Sequence, residues 1–356
     1  MTSRTSFSLA TGTGKRVRQS IRISSENLIT TEFLPGLDRL PLVVRPATAN
    51  VDLLGWAQNN PDFIASHLGS HGAILFRGFG IHSMEVFEQF AECTSHGGLL
   101  DYIYGSTPRR RIAGGVYTST EYPADQVIPF HNEMSYSLAW PMKIWFCCLK
   151  AASSGGATPI ADSVKVFQEI DSGIRASFIE RGVMYVRNYG SGLDLSCQQV
   201  FGTEDRAEIE KICKDSKIEC EWKADGRLQT WQKCQAIAMH PQTHEIVWFN
   251  QAHLFHVSSL DPAFASELLA AFGEQGLPRN AYYGDGTSIP SPVLDEIRAA
   301  YGRAKVEFPW EEGDVLMLDN MLVAHGRAAY QGQRRIVVAM AEQHHAETPQ
   351  GAAIQG

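Results

Sequence analysis

The residues best placed to do chemistry in this 356-residue chain are His131 and Glu133, separated by Asn132 within Ile128-Pro129-Phe130-His131-Asn132-Glu133-Met134-Ser135-Tyr136. On extended backbone, residues two apart project to the same face, so an imidazole and a carboxylate at this spacing can converge on one cation. A third ligand must then come from elsewhere. His325, in Asn320-Met321-Leu322-Val323-Ala324-His325-Gly326, is a candidate, as are His240, His244, His253, His256, His344 and His345. Two imidazoles and one carboxylate make a facial triad that leaves one side of an octahedral ferrous ion open. The plainer alternative is a structural histidine beside a loop carboxylate. His253 and His256 read as part of an aromatic wall, and His344 and His345 as solvent-facing residues near a polar terminus.

The elements that must carry these groups are mostly strands. Residues 1–35 read as a loosely ordered lead-in, with one irregular strand over 20–29. Hydrophobic spacing predicts helices over 53–68 and 83–93, with a short buried strand between them at 71–79. Strands are expected at 114–118 and 144–149, then a Ser153-Ser154-Gly155-Gly156 turn. Asp162 or Ser163 can cap a helix over 164–170, and a second helical piece follows at 174–181. The mixed, charged stretch 202–231 suggests helical insertions or excursions from a sheet. Later come strands at 245–249, 306–308, 315–318 and 336–340, with helices at 262–272 and 292–301, Pro262 suiting a first helical turn. Separated strands interrupted by helices suit a decorated sandwich or barrel. No GxGxxG or GxxxxGK sequence precedes a suitable helix, which argues against a nucleotide-binding fold. With no linker in view, residues 36–350 are expected to form one domain.

Composition narrows the partners. A formal net charge of -8 argues against a nucleic-acid partner, which would favour a basic face. The one dense basic run, Arg109-Arg110-Arg111, is either a solvated loop or an anion grip. Seven cysteines with no CxxC pair fit neither a disulfide framework nor a thiolate zinc site, so a reducing, cytoplasmic setting is expected. The N-terminal residues lack the apolar segment of a secretory signal. No apolar stretch is long enough to span a bilayer.

Several ordered motifs together resemble the TauD/TfdA family of iron(II)/2-oxoglutarate dioxygenases, nearest its branch of syringomycin-pathway-type amino-acid β-hydroxylases. They are Gly72-Ala73-Ile74-Leu75-Phe76-Arg77-Gly78-Phe79, His131-Asn132-Glu133-Met134-Ser135-Tyr136, Ser154-Gly155-Gly156-Ala157-Thr158-Pro159-Ile160-Ala161-Asp162, Val247-Trp248-Phe249-Asn250-Gln251, Gly313-Asp314, Asp319-Asn320, His325-Gly326-Arg327 and Gly332-Gln333-Arg334-Arg335. The resemblance implies a mainly β fold with α decorations on a double-stranded β-helix, or jelly-roll, core. It selects His131, Glu133 and His325 as the Fe(II) ligands. It matches Thr158 to a threonine that hydrogen-bonds to 2-oxoglutarate, and Arg334 or Arg335 to the arginine that clamps the distal carboxylate, with Arg334 preferred. Glu133 stands where many family members carry aspartate, keeping an anionic oxygen ligand on a longer arm. Related halogenases lack that carboxylate, so its presence points to hydroxylation.

By the same resemblance the cosubstrates are 2-oxoglutarate and O2. The substrate is an amino acid, free or tethered to a carrier protein, hydroxylated at its β carbon in specialised-metabolite (antibiotic) biosynthesis. Tyr136, Arg187, Asn250 and Gln251 are the foremost candidates for its pocket, followed by Asn188, Tyr189, Trp248 and His253. Arg109–Arg111 is a further candidate, for a carrier's phosphopantetheine arm. Desaturation or epoxidation with the same cofactors is the enzymatic alternative. A catalytically silent, metal-stabilised binding protein is the other.

Overall fold

The computed structural model describes residues 28–37, 39–100, 111–113, 115–118, 122–190 and 192–346. Its centre is the long strand Ala139–Lys150, paired antiparallel with Val315–Asp319 on one side and Arg335–His345 on the other. Along this strand Ile144, Phe146 and Cys148 project to one face, and Trp145 and Cys147 to the other. Its neighbours alternate in the same way, with Leu316, Leu318, Ile336, Val338 and Met340 on the first face and Val315, Met317, Val337 and Ala339 on the second. Both faces are buried, which is why these segments read as unbroken apolar runs rather than alternating ones. Each fully buried Leu, Ile or Phe contributes about 1.5–3 kcal/mol by leaving water.

Eight strands make up this sheet, in the order Ile29–Phe33, Leu42–Pro46, Ala73–Phe76, Val315–Asp319, Ala139–Lys150, Arg335–His345, Val116–Thr118 and Arg111–Ala113. Its second face is covered by helices Leu53–Asn59, Pro61–His71 and Met84–Cys93, through Trp56, Leu68, Phe87 and Phe90. Its first face shares a core with a smaller sheet through Ile160 and Val323. That sheet has the order Lys305–Val306, Ile160–Asp162, Val323–Arg327 and Ile128–His131. The expected double-stranded β-helix core, mainly β with helical decorations, is what the chain forms.

Two local expectations need correction. The single helix expected over 53–68 is two helices, Leu53–Asn59 and Pro61–His71. Asn60 between them has φ -134 and ψ 47, because Pro61 disfavours helical backbone in the residue before it and suits the first turn of a new helix. The second helix ends at Gly72, with φ 69, and a Cβ there would lie 2.6 Å from Val323 Cγ2. Turn geometry and close packing therefore both demand glycine. The lead-in expected to reach residue 35 ends earlier, since Ile29–Phe33 pairs with Leu42–Pro46 as an edge strand; residues 1–27 lie outside the described set.

Within 202–231 both expected alternatives occur: Arg206–Asp215 is a helix, and Glu219–Trp222 and Leu228–Cys234 are strands. They belong to a further sheet with Val183–Tyr189 and Arg279–Tyr283. The inward positions of Leu228–Cys234 are Leu228, Thr230, Gln232 and Cys234; two polar residues on the buried face hide the period of two. Of the basic run, Arg109, Arg110 and the Arg111 side chain lie outside the described residues, while the Arg111 backbone opens a short strand. Among the described residues, no helix is long and apolar enough to cross a membrane.

Candidate metal centre

His131 and His325 face each other as register partners in the smaller sheet, with ring centroids 4.5 Å apart and planes at 52°. His325 also lies against Phe146, at 5.0 Å between centroids. One ligand atom each from His131, Glu133 and His325 lies within 4.8 Å of the other two. Among the described residues this is the only group of three or more His, Cys, Asp or Glu side chains so placed. His131 Nδ1 is 2.9 Å from the Pro129 carbonyl oxygen. A carbonyl only accepts, so Nδ1 carries the proton and Nε2 keeps its lone pair for a metal. Two imidazoles and a carboxylate, buried or half-buried, fit a ferrous ion held on one face.

Glu133 reaches this centre by a route other than the expected one. The strand stops at His131, and Glu133 sits in a turn closed by the Ser135 N–H on the Asn132 carbonyl at 3.2 Å, with Met134 at φ 58. The turn is anchored by Asn320, whose Oδ1 accepts the Glu133 N–H at 2.7 Å. Asn320 Nδ2 donates to the Glu133 carbonyl at 2.9 Å and the Pro141 carbonyl at 2.8 Å. Asn132 Nδ2 donates back to the Asn320 carbonyl at 2.7 Å. Sequence reasoning gave Asn320 no role; its one signal was an amide following the apolar strand that precedes His325.

A second cluster lies around Arg334, whose Nε donates to the Gly156 carbonyl at 2.8 Å and whose guanidinium reaches Thr158 Oγ1 at 3.3 Å. Trp310 Nε1 donates to the same Thr158 oxygen at 3.1 Å. With two bonds accepted, the Thr158 hydroxyl has its own proton left to donate. Among the described residues Arg334 has no carboxylate partner, and burial, helped by the Arg327 guanidinium, pulls its pKa down to about 10. A half-buried cation beside a hydroxyl donor is a receptor for an anion. Arg335 points elsewhere, its guanidinium lying 3.4 Å from Met84 Sδ at an exposed position. Of the two arginines considered, only Arg334 meets Thr158.

The remaining candidates are bound into the scaffold. Asn250 Nδ2 donates to the Ala236 carbonyl, and its Oδ1 accepts the Ala252 N–H. Gln251 Nε2 donates to the Asn132 carbonyl at 2.7 Å. Both amides, expected at the substrate, thus hold main chain, and Gln251 braces the Glu133 turn. Tyr136 is buried against Tyr185 and Phe255. Arg187 is buried with Asp194 at 4.0 Å and its guanidinium over the Tyr189 ring. Asn188 donates to the Gln275 and Leu277 carbonyls, and Trp248 packs on Phe178.

The rival histidines have other employment. His240 Nε2 lies 3.0 Å from Asp319 Oδ2, while its Nδ1 accepts the Gln242 and Thr243 N–H groups. His253 Nε2 is 2.9 Å from the Phe130 carbonyl, and burial lowers its pKa from 6.5 to about 4. The folded protein therefore refuses a proton that the unfolded chain binds below 6.5. The contribution is intact above that pH and is lost as pH falls from 6.5 toward 4, a total of about 3 kcal/mol. In urea unfolding of metal-free protein, the stability advantage of wild type over His253→Gln should shrink by about that amount between pH 7 and 4. A constant difference would show that His253 titrates normally.

A cleft of about 400 Å³ runs beside the Glu133 turn, bordered by Met134, Trp140, Lys217, Met340 and Gln343. It contains none of the three metal-binding side chains, so it adjoins the centre rather than forming it.

Comparison with known proteins agrees with this geometry. The family described as "Taurine catabolism dioxygenase TauD, TfdA family" matches residues 39–340. The chain is 42% identical over 298 residues to the dapdiamide synthesis protein DdaC of Enterobacter agglomerans, covering 84% of this chain and 90% of that one. It is 29% identical over 320 residues to a clavaminate synthase-like protein of Arabidopsis thaliana, covering 84% and 93%. Among solved structures, PvcB of Pseudomonas aeruginosa superimposes with a TM-score of 0.54 at 14% identity, over 90% of this chain and 93% of that one. A taurine dioxygenase of Burkholderia xenovorans gives 0.51 at 14% identity, over 88% and 89%. At such identities the likeness is one of fold.

Proposed function

Because this chain belongs to the TauD/TfdA family of non-haem iron(II), 2-oxoglutarate-dependent dioxygenases, we propose that it hydroxylates the β carbon of an amino acid, free or carried on a carrier protein, in specialised metabolism. The observation that carries the reading is the pairing of two sites. A complete His131/Glu133/His325 triad accompanies a half-buried Arg334–Thr158 anion receptor. His131, Glu133 and His325 would hold Fe(II), and Arg334 with Thr158 would hold the distal carboxylate of 2-oxoglutarate. The bound iron supplies oxygen activation coupled to oxidative decarboxylation of the keto acid. The balance is C–H plus 2-oxoglutarate plus O2, giving C–OH, succinate and CO2.

Glu133 favours hydroxylation over halogenation because it fills the coordination position that a halide would need. Similarity to a protein of dapdiamide synthesis supports a specialised-metabolite setting, and the syringomycin-type β-hydroxylases remain the branch we favour. The protein's own task is to place one C–H bond at the open side of the metal.

The test is aerobic turnover with ferrous iron, 2-oxoglutarate and a panel of amino acids, free and carrier-loaded, deuterated at Cβ. Hydroxylation predicts stimulated succinate release and a product that has exchanged one deuterium for hydroxyl. A product with an added oxygen and all its deuterium would mean hydroxylation at another carbon or, where the substrate carries a C=C bond, epoxidation. Loss of two hydrogens without added oxygen would mean desaturation. Tight binding without turnover across the panel would assign a silent binding protein instead.

A further inference from the structure

Asn320 holds the carboxylate ligand in place by acting as a substitute for strand pairing. The backbone ladder of the smaller sheet ends at His131, so Glu133 cannot be fixed by it. Asn320 instead brackets the Glu133 peptide from both sides, accepting from its N–H and donating to its carbonyl. Its second amide proton goes to Pro141, its own N–H donates to Met142, and its carbonyl accepts from Asn132. Asn320 and Asn132 are fully buried, so these bonds are shielded from competing water; every polar group of Asn320 is paired, whereas Asn132 Oδ1 has no partner among the described residues.

The neighbouring Asp319 fixes the corner from the other direction. Its Oδ1 accepts the Met321 and Leu322 N–H groups, and its Oδ2 meets His240. Asn320 is thus rigidly based on the chain that continues into His325, 187 residues beyond the glutamate whose backbone it grips.

We propose that Asn320 is a positioning residue for the metal centre, setting where the Glu133 carboxylate stands relative to the two imidazoles. The proposal rests on the triad alone and is independent of the substrate. It predicts that perturbing this amide changes metal coordination itself, beyond any general loss of stability. Asn320→Asp nearly preserves shape and the acceptor for Glu133 N–H, but turns an oxygen toward the Glu133 and Pro141 carbonyls, breaking two bonds.

The experiment is titration of metal-free protein with Co(II), following affinity and the visible ligand-field spectrum. Thermal unfolding of the metal-free forms is measured alongside. Asn320→Asp should bind about 10–100-fold more weakly, the range expected when a group orienting a ligand is removed, with a shifted spectrum. Glu133→Ala sets the upper limit of the effect. Asn280→Asp is the control: it perturbs another buried amide, one that accepts the Val257 N–H and donates to Tyr282. It should lower the melting temperature while leaving Co(II) affinity and spectrum at wild-type values. If Asn320→Asp does not fold, Asn320→Ser removes the bracket without adding charge and carries the same expectation. A folded Asn320 variant with wild-type affinity and spectrum overturns the proposal. Wild type that takes up no Co(II), or Glu133→Ala that binds like wild type, overturns the triad on which it stands.

Discussion

Replacing His325 with alanine is expected to lower ferrous-ion affinity by roughly two to three orders of magnitude and to remove measurable turnover at micromolar iron. Structural metal sites with four protein ligands bind with an apparent 10–16 kcal/mol, so each ligand contributes about 2.5–4 kcal/mol. Here three side chains share the load, and a methyl group cannot refill the vacancy. His325 is 4% exposed and lies on the face of Phe146, which leaves little room for a replacement donor. His131→Ala should behave alike. Equilibrium dialysis of iron, or Co(II) titration, is the direct check. Wild-type occupancy in either variant would remove that residue from the ligand set.

Arg334→Met should raise the 2-oxoglutarate concentration needed for half-maximal turnover by roughly 100-fold or more, with iron binding unchanged. Hydrogen bonds to charged groups contribute about 1.5–3 kcal/mol each, and a carboxylate can take two from one guanidinium. The Gly156 carbonyl holds Arg334 Nε, so the rest of the guanidinium is aimed before the anion arrives. Methionine keeps much of the apolar stem, which separates loss of charge from loss of packing. Arg335→Ala should change the same parameter by no more than a few fold, because its guanidinium lies at Met84 on an exposed surface. If the two variants exchange these behaviours, the clamp has been assigned to the wrong arginine. Succinate release against 2-oxoglutarate concentration distinguishes them.

How far the sequence could be read depended on what kind of force placed each residue. The metal-binding side chains were legible because chemistry restricts their types, and the order of motifs picked His325 over six rival histidines. The strands of the large sheet were legible because residues such as Ile144–Leu149 are buried on both faces and read as continuous apolar runs. The reason offered for Glu133 was incomplete: extended backbone was expected at 131–133, whereas the strand ends and a turn begins. A side chain 187 positions away supplies the missing support, and spacing along a chain carries no trace of such a contact. Asn250 and Gln251 were expected in the substrate pocket. Their partners prove to be main-chain groups, because buried backbone that leaves a regular ladder must find donors and acceptors elsewhere. The strand at 228–234 was hidden by Thr230 and Gln232 on its inner face.

Dividing the donor set between residues 131–133 and residue 325 also orders events during synthesis. At 5–20 residues per second, roughly 10–40 s separate the emergence of Glu133 from that of His325. Through that interval the nascent chain carries one imidazole and one carboxylate, with neither Asn320 nor the facing strand to hold them. Losing one imidazole is expected to cost roughly two to three orders of magnitude in iron affinity, so this pair alone would hold iron that much more weakly. Metal loading, and with it any reaction with oxygen, would then favour the chain whose last strands have closed the sheet, sparing an unfinished chain oxidation by its own centre.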